Sequence, residues 1–291
     1  IMAVWGAPVP IDHHEVRASI CGKMLVHETQ QDPLRSRFAE AGENLAIRVG
    51  VATGEVLAGN MGSAARMNYT VIGDNVNLAS RLEAFNKSMG TRVMVSDATA
   101  LGLQDKFVLR LLCRVAVVGK DMPVEVFEVR GLDGSQSTKL EAVDMGSMLL
   151  DASISLKQLR NNDATGSGDY TRSGTVVDVR AENSSDACSV ASVLSATDAL
   201  REHRMTSLLK AARNKRVCDP REVEFCDKYT IAVRKFVRGE CGDAIARLTE
   251  LKAEYPEWTQ DNAAEYLEAA ASRQLANPDP AFDGVFRATE K

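Results

Sequence analysis

The stretch NYTVIGDNVNLASRLE, residues 68–83, constrains the fold more than any other. Tyr69, Thr70, Val71 and Ile72 are residue types that suit a pleated strand. Beyond Gly73, Val76, Leu78, Ala79, Leu82 and Phe85 recur at the spacing of one helix face. A strand therefore runs into a helix across Gly73, with Asp74 expected as its N-cap and Gly90 as its C-terminal stop. On that helix Asn77 and Arg81 stand four residues apart, so an amide and a guanidinium share one face. Such a pair suits a phosphoryl or ribose oxygen that gains negative charge in a transition state. Spacing alone favours a solvated polar stripe, because Asn-x-x-x-Arg is a common pattern.

The flanking sequence supplies a framework for this unit. IMAVW at the start reads as a strand, and Val16, Ile20, Met24 and Leu25 predict a helix over residues 12–30. LAIRVGVAT, residues 45–53, reads as a strand ended by Gly54, and VLAGNMG as a segment closing in a glycine-flanked turn. RVMVS is a short strand and DATALGL a short helix. FVLRLLCRVAVVG and VEVFEVRG form a hairpin across GKDMP. Strands and helices alternate without the glycine-rich turn of a dinucleotide site, which predicts an α+β or α/β sandwich. His13 and His14 open the first helix without a third ligand at helical spacing, so no metal-binding residue is assigned.

Composition then divides the chain. Residues 132–206 are rich in Ser, Asn, Asp and Gly, with few aromatics, and read as a disordered linker. Residues 1–131 form the domain before it and residues 207–291 the region after it. In the latter, helical periodicity returns at Phe225, Tyr229, Val233 and Phe236, at Ala244, Ile245, Leu248 and Leu251, and at Ala263, Tyr266, Leu267 and Ala270. FVRGECGDAIARLTELKAEYP resembles one tetratricopeptide unit, which would offer these helices to a protein partner. A small bundle packed on the first domain fits the same pattern.

The net charge of −5 mixes both signs, which argues against a nucleic-acid partner. The six cysteines are scattered with no CxxC pair, as expected of reduced intracellular thiols. No apolar run approaches the ~18 residues of a membrane helix. The chain opens inside a strand without an initiator Met, and is read as a fragment that has lost its upstream part.

The longer run IRVGVATGEVLAGNMGSAARMNYTVIGDNVNLASRLEAFNKSMGTRVMVS resembles the second half of the class III nucleotidyl cyclase catalytic domain. The resemblance extends from IMAVWGAP to about Val129, with TGxxxAGxxG, YTVIGDxVNLASRLE and the later GK hairpin in order. It implies a ferredoxin-like α+β sandwich, truncated here at its N-terminus. It also implies a partner: two such domains pair head to tail, as a homodimer or heterodimer, and build the site at their interface. By resemblance, Arg81 stabilises charge on the α-phosphate, Asn77 orients the ribose and Lys120 meets the terminal phosphates. Val118 stands where many relatives carry a further Lys. Thr70 falls at the position that reads the purine, and its hydroxyl can accept a hydrogen bond from the adenine amino group.

The implied activity is adenylate cyclase, forming cyclic AMP and pyrophosphate from ATP with Mg²⁺ or Mn²⁺. The ion's aspartate ligands are expected upstream of Ile1, which would leave this chain inactive by itself. A guanylate cyclase and a catalytically silent cyclase-homology regulatory domain are the alternatives. The resemblance implies a cytoplasmic catalytic region in a parent that is membrane-anchored or soluble. The tail PDPAFDGVFRATEK resembles the close of multidomain microbial cyclases, with Phe282, Val285 and Phe286 expected to dock it.

Overall fold

A computed structural model describes residues 1–7, 9–63, 66–116, 122–133, 170–181 and 217–287. Period-two alternation along one long strand, β2 (Ile47–Ser63), organises them. Ile47, Val49 and Val51 face one hydrophobic cluster, while Ala52, Val56 and Ala58 face a second on the other side of the sheet. The same alternation holds in β4 (Val93–Ser96), where Val93 and Val95 face the first cluster and Met94 the second.

The order begins with β1 (Met2–Trp5), α1 (His14–Thr29) and α2 (Leu34–Glu40). After β2 come β3 (Arg66–Ile72), α3 (Asp74–Met89), β4, α4 (Asp97–Leu101), β5 (Phe107–Ala116) and β6 (Val124–Asp133). β7 (Tyr170–Ala181) and β8 (Val217–Cys218) precede three helices, α5 (Pro220–Val237), α6 (Cys241–Glu254) and α7 (Asn262–Ala276). The short β9 (Val285–Arg287) follows. The strands form one sheet of order β1-β7-β2-β4-β6-β5-β9, with β3 paired to β2 and β8 to β6. β2 and β4 are parallel, joined through the β3 hairpin and α3, whereas β5 and β6 form an antiparallel hairpin. The architecture is mixed α+β, as expected.

Helices cover both faces of the sheet. Val16, Ala18, Ile20 and Val26 of α1 join the first cluster with Ala100 of α4. Leu78, Ala79, Leu82 and Met89 of α3 join the second, together with the buried faces of α5, α6 and α7. Full burial of each such leucine stabilises the fold by roughly 1.5–3 kcal/mol. At a β-bulge in β5 the Leu111 amide donates to Thr230 Oγ1 of α5 at 3.3 Å, so the C-terminal helices also satisfy the sheet's backbone.

Three expectations change. Gly54 does not end a strand: β2 runs through it to Ser63, because the glycine marks a close approach to α3. Gly73, not Asp74, occupies the N-cap, and Asp74 becomes the first helical residue. Residues 170–181, within the stretch read as linker, form β7, which pairs antiparallel with both β1 and β2. TVVDV, residues 175–179, is rich in β-branched residues, and open edges of β1 and β2 take up its backbone groups. The remainder of residues 134–206 lies outside the described residues.

Candidate functional site on helix α3

The position of α3 is set by glycines that carry no side chain into it. A Cβ at Gly50 would lie 2.1 Å from the Ala79 carbonyl oxygen and 2.4 Å from the Glu83 nitrogen, so helix and strand touch backbone to backbone. One turn nearer the N-terminus of the helix, Asn75 lies against Gly54 and its Nδ2 donates to the Glu55 carbonyl at 3.0 Å. Further along, buried Asn86 donates to the Val49 and Leu82 carbonyls, each at 3.0 Å, and accepts from Thr91 Oγ1 at 2.8 Å. Arg48 of β2 adds an ion pair to Glu83 at 2.9 Å. These contacts fix the helix along and across the sheet.

Fixing one face presents the other. Asn75, Leu78, Ala79, Leu82, Glu83, Asn86 and Met89 form the buried stripe, which leaves Asn77 and Arg81 together on the exposed face one turn apart. Among the described residues Arg81 makes no ion pair. Thr70 lies on β3, half-buried and opposite Gly59 of β2. Alternation turns it to the face opposite Val71, which joins the core beneath α3. Elsewhere on β3, Met67 is 61% exposed and Ile72 49%. Alternation therefore separates Thr70 and Ile72 from Met67, and Thr70 lies on the face of β3 turned away from α3. Lys120 and Val118 lie outside the described residues, although β5 runs to Ala116 beside them.

A cavity among the described residues lies elsewhere. A hollow of about 450 Å³, lined by Gly6 and residues 10–15, opens at the start of α1. His13 there has φ 54 and ψ 38, and His14 Nε2 is 3.5 Å from Glu15 Oε1. This hollow contains none of the residues on the α3 face, where the paired amide and guanidinium stand. Among the described residues no three His, Cys, Asp or Glu side chains could hold a metal ion.

Behind α3 lies a buried ionic network that sequence reasoning missed. Arg110 of β5 pairs with Glu128 of β6 at 2.7 Å and with Asp261, the N-cap of α7, at 2.7 Å. Its guanidinium sits 4.7 Å from the Tyr229 ring centroid. Arg130 pairs with Glu222 of α5 at 2.8 Å. Burial opposes charge on Glu128, but Arg110, Arg130 and Lys23 hold its carboxyl below the ordinary range. Burial also pushes the Cys218 and Cys226 thiols up to about 12, which leaves them neutral and inert. Charged residues at strand positions 110, 128 and 130 were the available signal for the network.

Residues 2–130 match the model of the adenylate and guanylate cyclase catalytic domain. Adenylate cyclase 1 of Rhizobium meliloti is 33% identical over 132 residues, which is 45% of this chain and 20% of that protein. An adenylate cyclase of Anabaena cylindrica is 35% identical over 89 residues, 30% of this chain and 18% of its own. This chain thus spans about a fifth of the length of these curated relatives. Among solved structures, the adenylyl cyclase CyaB from P. aeruginosa is 29% identical, covering 43% of this chain and 64% of that one, at a TM-score of 0.36. The guanylyl cyclase Cya2 is 28% identical, covering 45% and 64%, at a TM-score of 0.39.

Proposed function

We propose, from the match of residues 2–130 to the adenylate and guanylate cyclase catalytic domain, that this chain supplies one half of an adenylate cyclase site. The observation that carries the reading is the α3 face: Asn77 and Arg81 stand one turn apart, exposed, on a helix locked to the sheet at Gly50 and Asn75. An open surface needs an opposing one to exclude water from a reacting nucleotide. A second cyclase domain, in a homodimer or heterodimer, would supply that surface, and exposed apolar side chains on β3, Met67 and Ile72, are available to an interface.

The reaction is attack of the ribose 3′-oxygen on the α-phosphorus of ATP. A bond forms between them, the bond to the bridging oxygen breaks, and pyrophosphate leaves with that electron pair. The 3′-hydroxyl proton passes to solvent. Arg81 would donate to the α-phosphoryl oxygens as charge gathers there, and Asn77 would hold the ribose for in-line attack. Lys120 would neutralise the terminal phosphates, and Thr70 would accept from the adenine amino group. Mg²⁺ or Mn²⁺ would be held by carboxylates outside the described residues, and the roles above do not depend on their placement.

The test is cyclic nucleotide formation by the full-length gene product, with ATP and GTP in parallel and Mn²⁺ present. Cyclic AMP is the expected product. Cyclic GMP in its place would overturn the base assignment to Thr70, and no product from a folded, dimeric protein would favour a silent regulatory domain.

A further inference from the structure

An aromatic chain runs from the candidate site to the C-terminal tail. Phe85 of α3 lies one turn beyond Arg81, and its ring meets Tyr266 of α7 edge to face at 6.0 Å. Tyr266 meets Phe286 of β9 at 5.3 Å, and Phe286 stacks on Phe236 of α5 at 5.4 Å. The backbone of Phe286 is at the same time part of the sheet: β9 runs parallel to β5, with Phe286 opposite Val115 and Arg287 opposite Ala116. Ala116 is the last described residue before the segment that holds Lys120.

The tail is built for this contact. Gly284 turns it at φ 68, where a Cβ would fall 2.5 Å from Val237 Cα. Asp283 accepts from the Val285 amide at 3.1 Å and pairs with Arg287 at 2.6 Å. A second contact reaches the same end of α3: a Cβ on Gly90 would sit 2.5 Å from Asn262 Nδ2. The C-terminal helices and tail therefore touch both α3, which carries Asn77 and Arg81, and β5.

We propose that Tyr266 and Phe286 are positioning residues for the cyclisation, tying the helix that carries Asn77 and Arg81 to the C-terminal helices and the end of β5. The proposal rests on the cyclase reading above. The physical argument is rigidity. A helix transmits a tilt at Phe85 to Arg81 and Asn77, and a misplacement of ~1 Å at a reacting group costs up to ~100-fold in rate. Neither residue is among those proposed to contact the nucleotide, so loss of either should lower turnover more than substrate affinity.

The experiment compares Tyr266→Leu and Phe286→Leu with the parent in the full-length protein, by steady-state kinetics and by amide exchange over residues 74–90 and 107–116. Val16→Ala, which opens the opposite core cluster, controls for general destabilisation. The expected result is exchange about tenfold faster in both segments, a kcat at least ~10-fold lower and an unchanged KM. The control should reproduce none of this. Unchanged exchange in both segments would overturn the proposal, as would the same kinetic loss in Val16→Ala. Faster exchange with unchanged kcat would leave the brace intact and overturn its catalytic role. A parent that makes no cyclic nucleotide would overturn the cyclase reading and the catalytic role together, while the exchange data would still decide the brace.

Discussion

Arg110 and Asp261 lie 151 residues apart in sequence and pair at 2.7 Å in the interior. The two carboxylate oxygens of Asp261 have separate tasks. Oδ2 accepts from Arg110, and Oδ1 caps α7 by accepting from the Ala264 amide at 2.9 Å. One residue thus neutralises a buried guanidinium of the sheet and starts the helix that leans on α3.

The division of labour predicts unequal effects of two substitutions. Asp261→Asn keeps a good capping acceptor and loses the charge, whereas Asp261→Ala loses both. A lost cap costs about 1 kcal/mol, and breaking a buried pair costs about 3 kcal/mol. Here Glu128 remains as a second partner for Arg110, which lowers the latter figure. In urea unfolding Asp261→Ala should therefore be the less stable variant by about 1 kcal/mol. Equal midpoints would show that the capping contact contributes nothing.

The same network sets a dependence on acid. Burial alone would raise the pKa of Glu128, but the charges of Arg110, Arg130 and Lys23 reverse this and hold it below 4.5 in the folded protein. A carboxyl depressed by folding stabilises above its unfolded pKa, and that contribution is lost as pH falls through its folded value. Stability should accordingly decline below about pH 4.5. In Glu128→Gln the decline should be shallower, from a lower starting stability, as read by thermal unfolding across an acid pH series. Parallel curves for the two proteins would remove Glu128 from the explanation.

Gly50→Ala addresses the seat of the candidate site. The added methyl would meet backbone atoms of Ala79 and Glu83, which cannot rotate away, so α3 must lift from β2. We expect a loss above about 3 kcal/mol, beyond the usual overpacking range of roughly 1–3 kcal/mol. Gly42→Ala is the comparison, because no atom lies within 4 Å of its added Cβ although its φ is 76. It should lose only the backbone strain of about 1 kcal/mol. Similar losses in both would mean that α3 is not seated on Gly50.

Much of this arrangement was legible in the sequence because it rests on local periodicity. The buried stripe of α3 follows from Leu78, Ala79 and Leu82, and that stripe alone dictates that Asn77 and Arg81 face outward together. What escaped depends on contacts between distant segments. Gly54 resembles a strand breaker until the helix that fills its missing side chain is known. β7 was hidden because a short run of β-branched residues was averaged into a long polar stretch. α2 buries no residue and so left no apolar period to find. Nothing local to Gly90 announces Asn262, and nothing local to Arg110 announces Asp261.

The central claim is that Arg81 serves a nucleotide and not the fold. The most direct measurement is the rate of cyclic nucleotide formation by Arg81→Ala beside its unfolding midpoint, both relative to the parent. Arg81 is exposed and makes no ion pair among the described residues, so stability should stay within about 0.5 kcal/mol. Turnover should fall by roughly 100- to 1,000-fold, the loss typical of removing one donor to developing charge. Unchanged turnover in a folded variant would contradict the account.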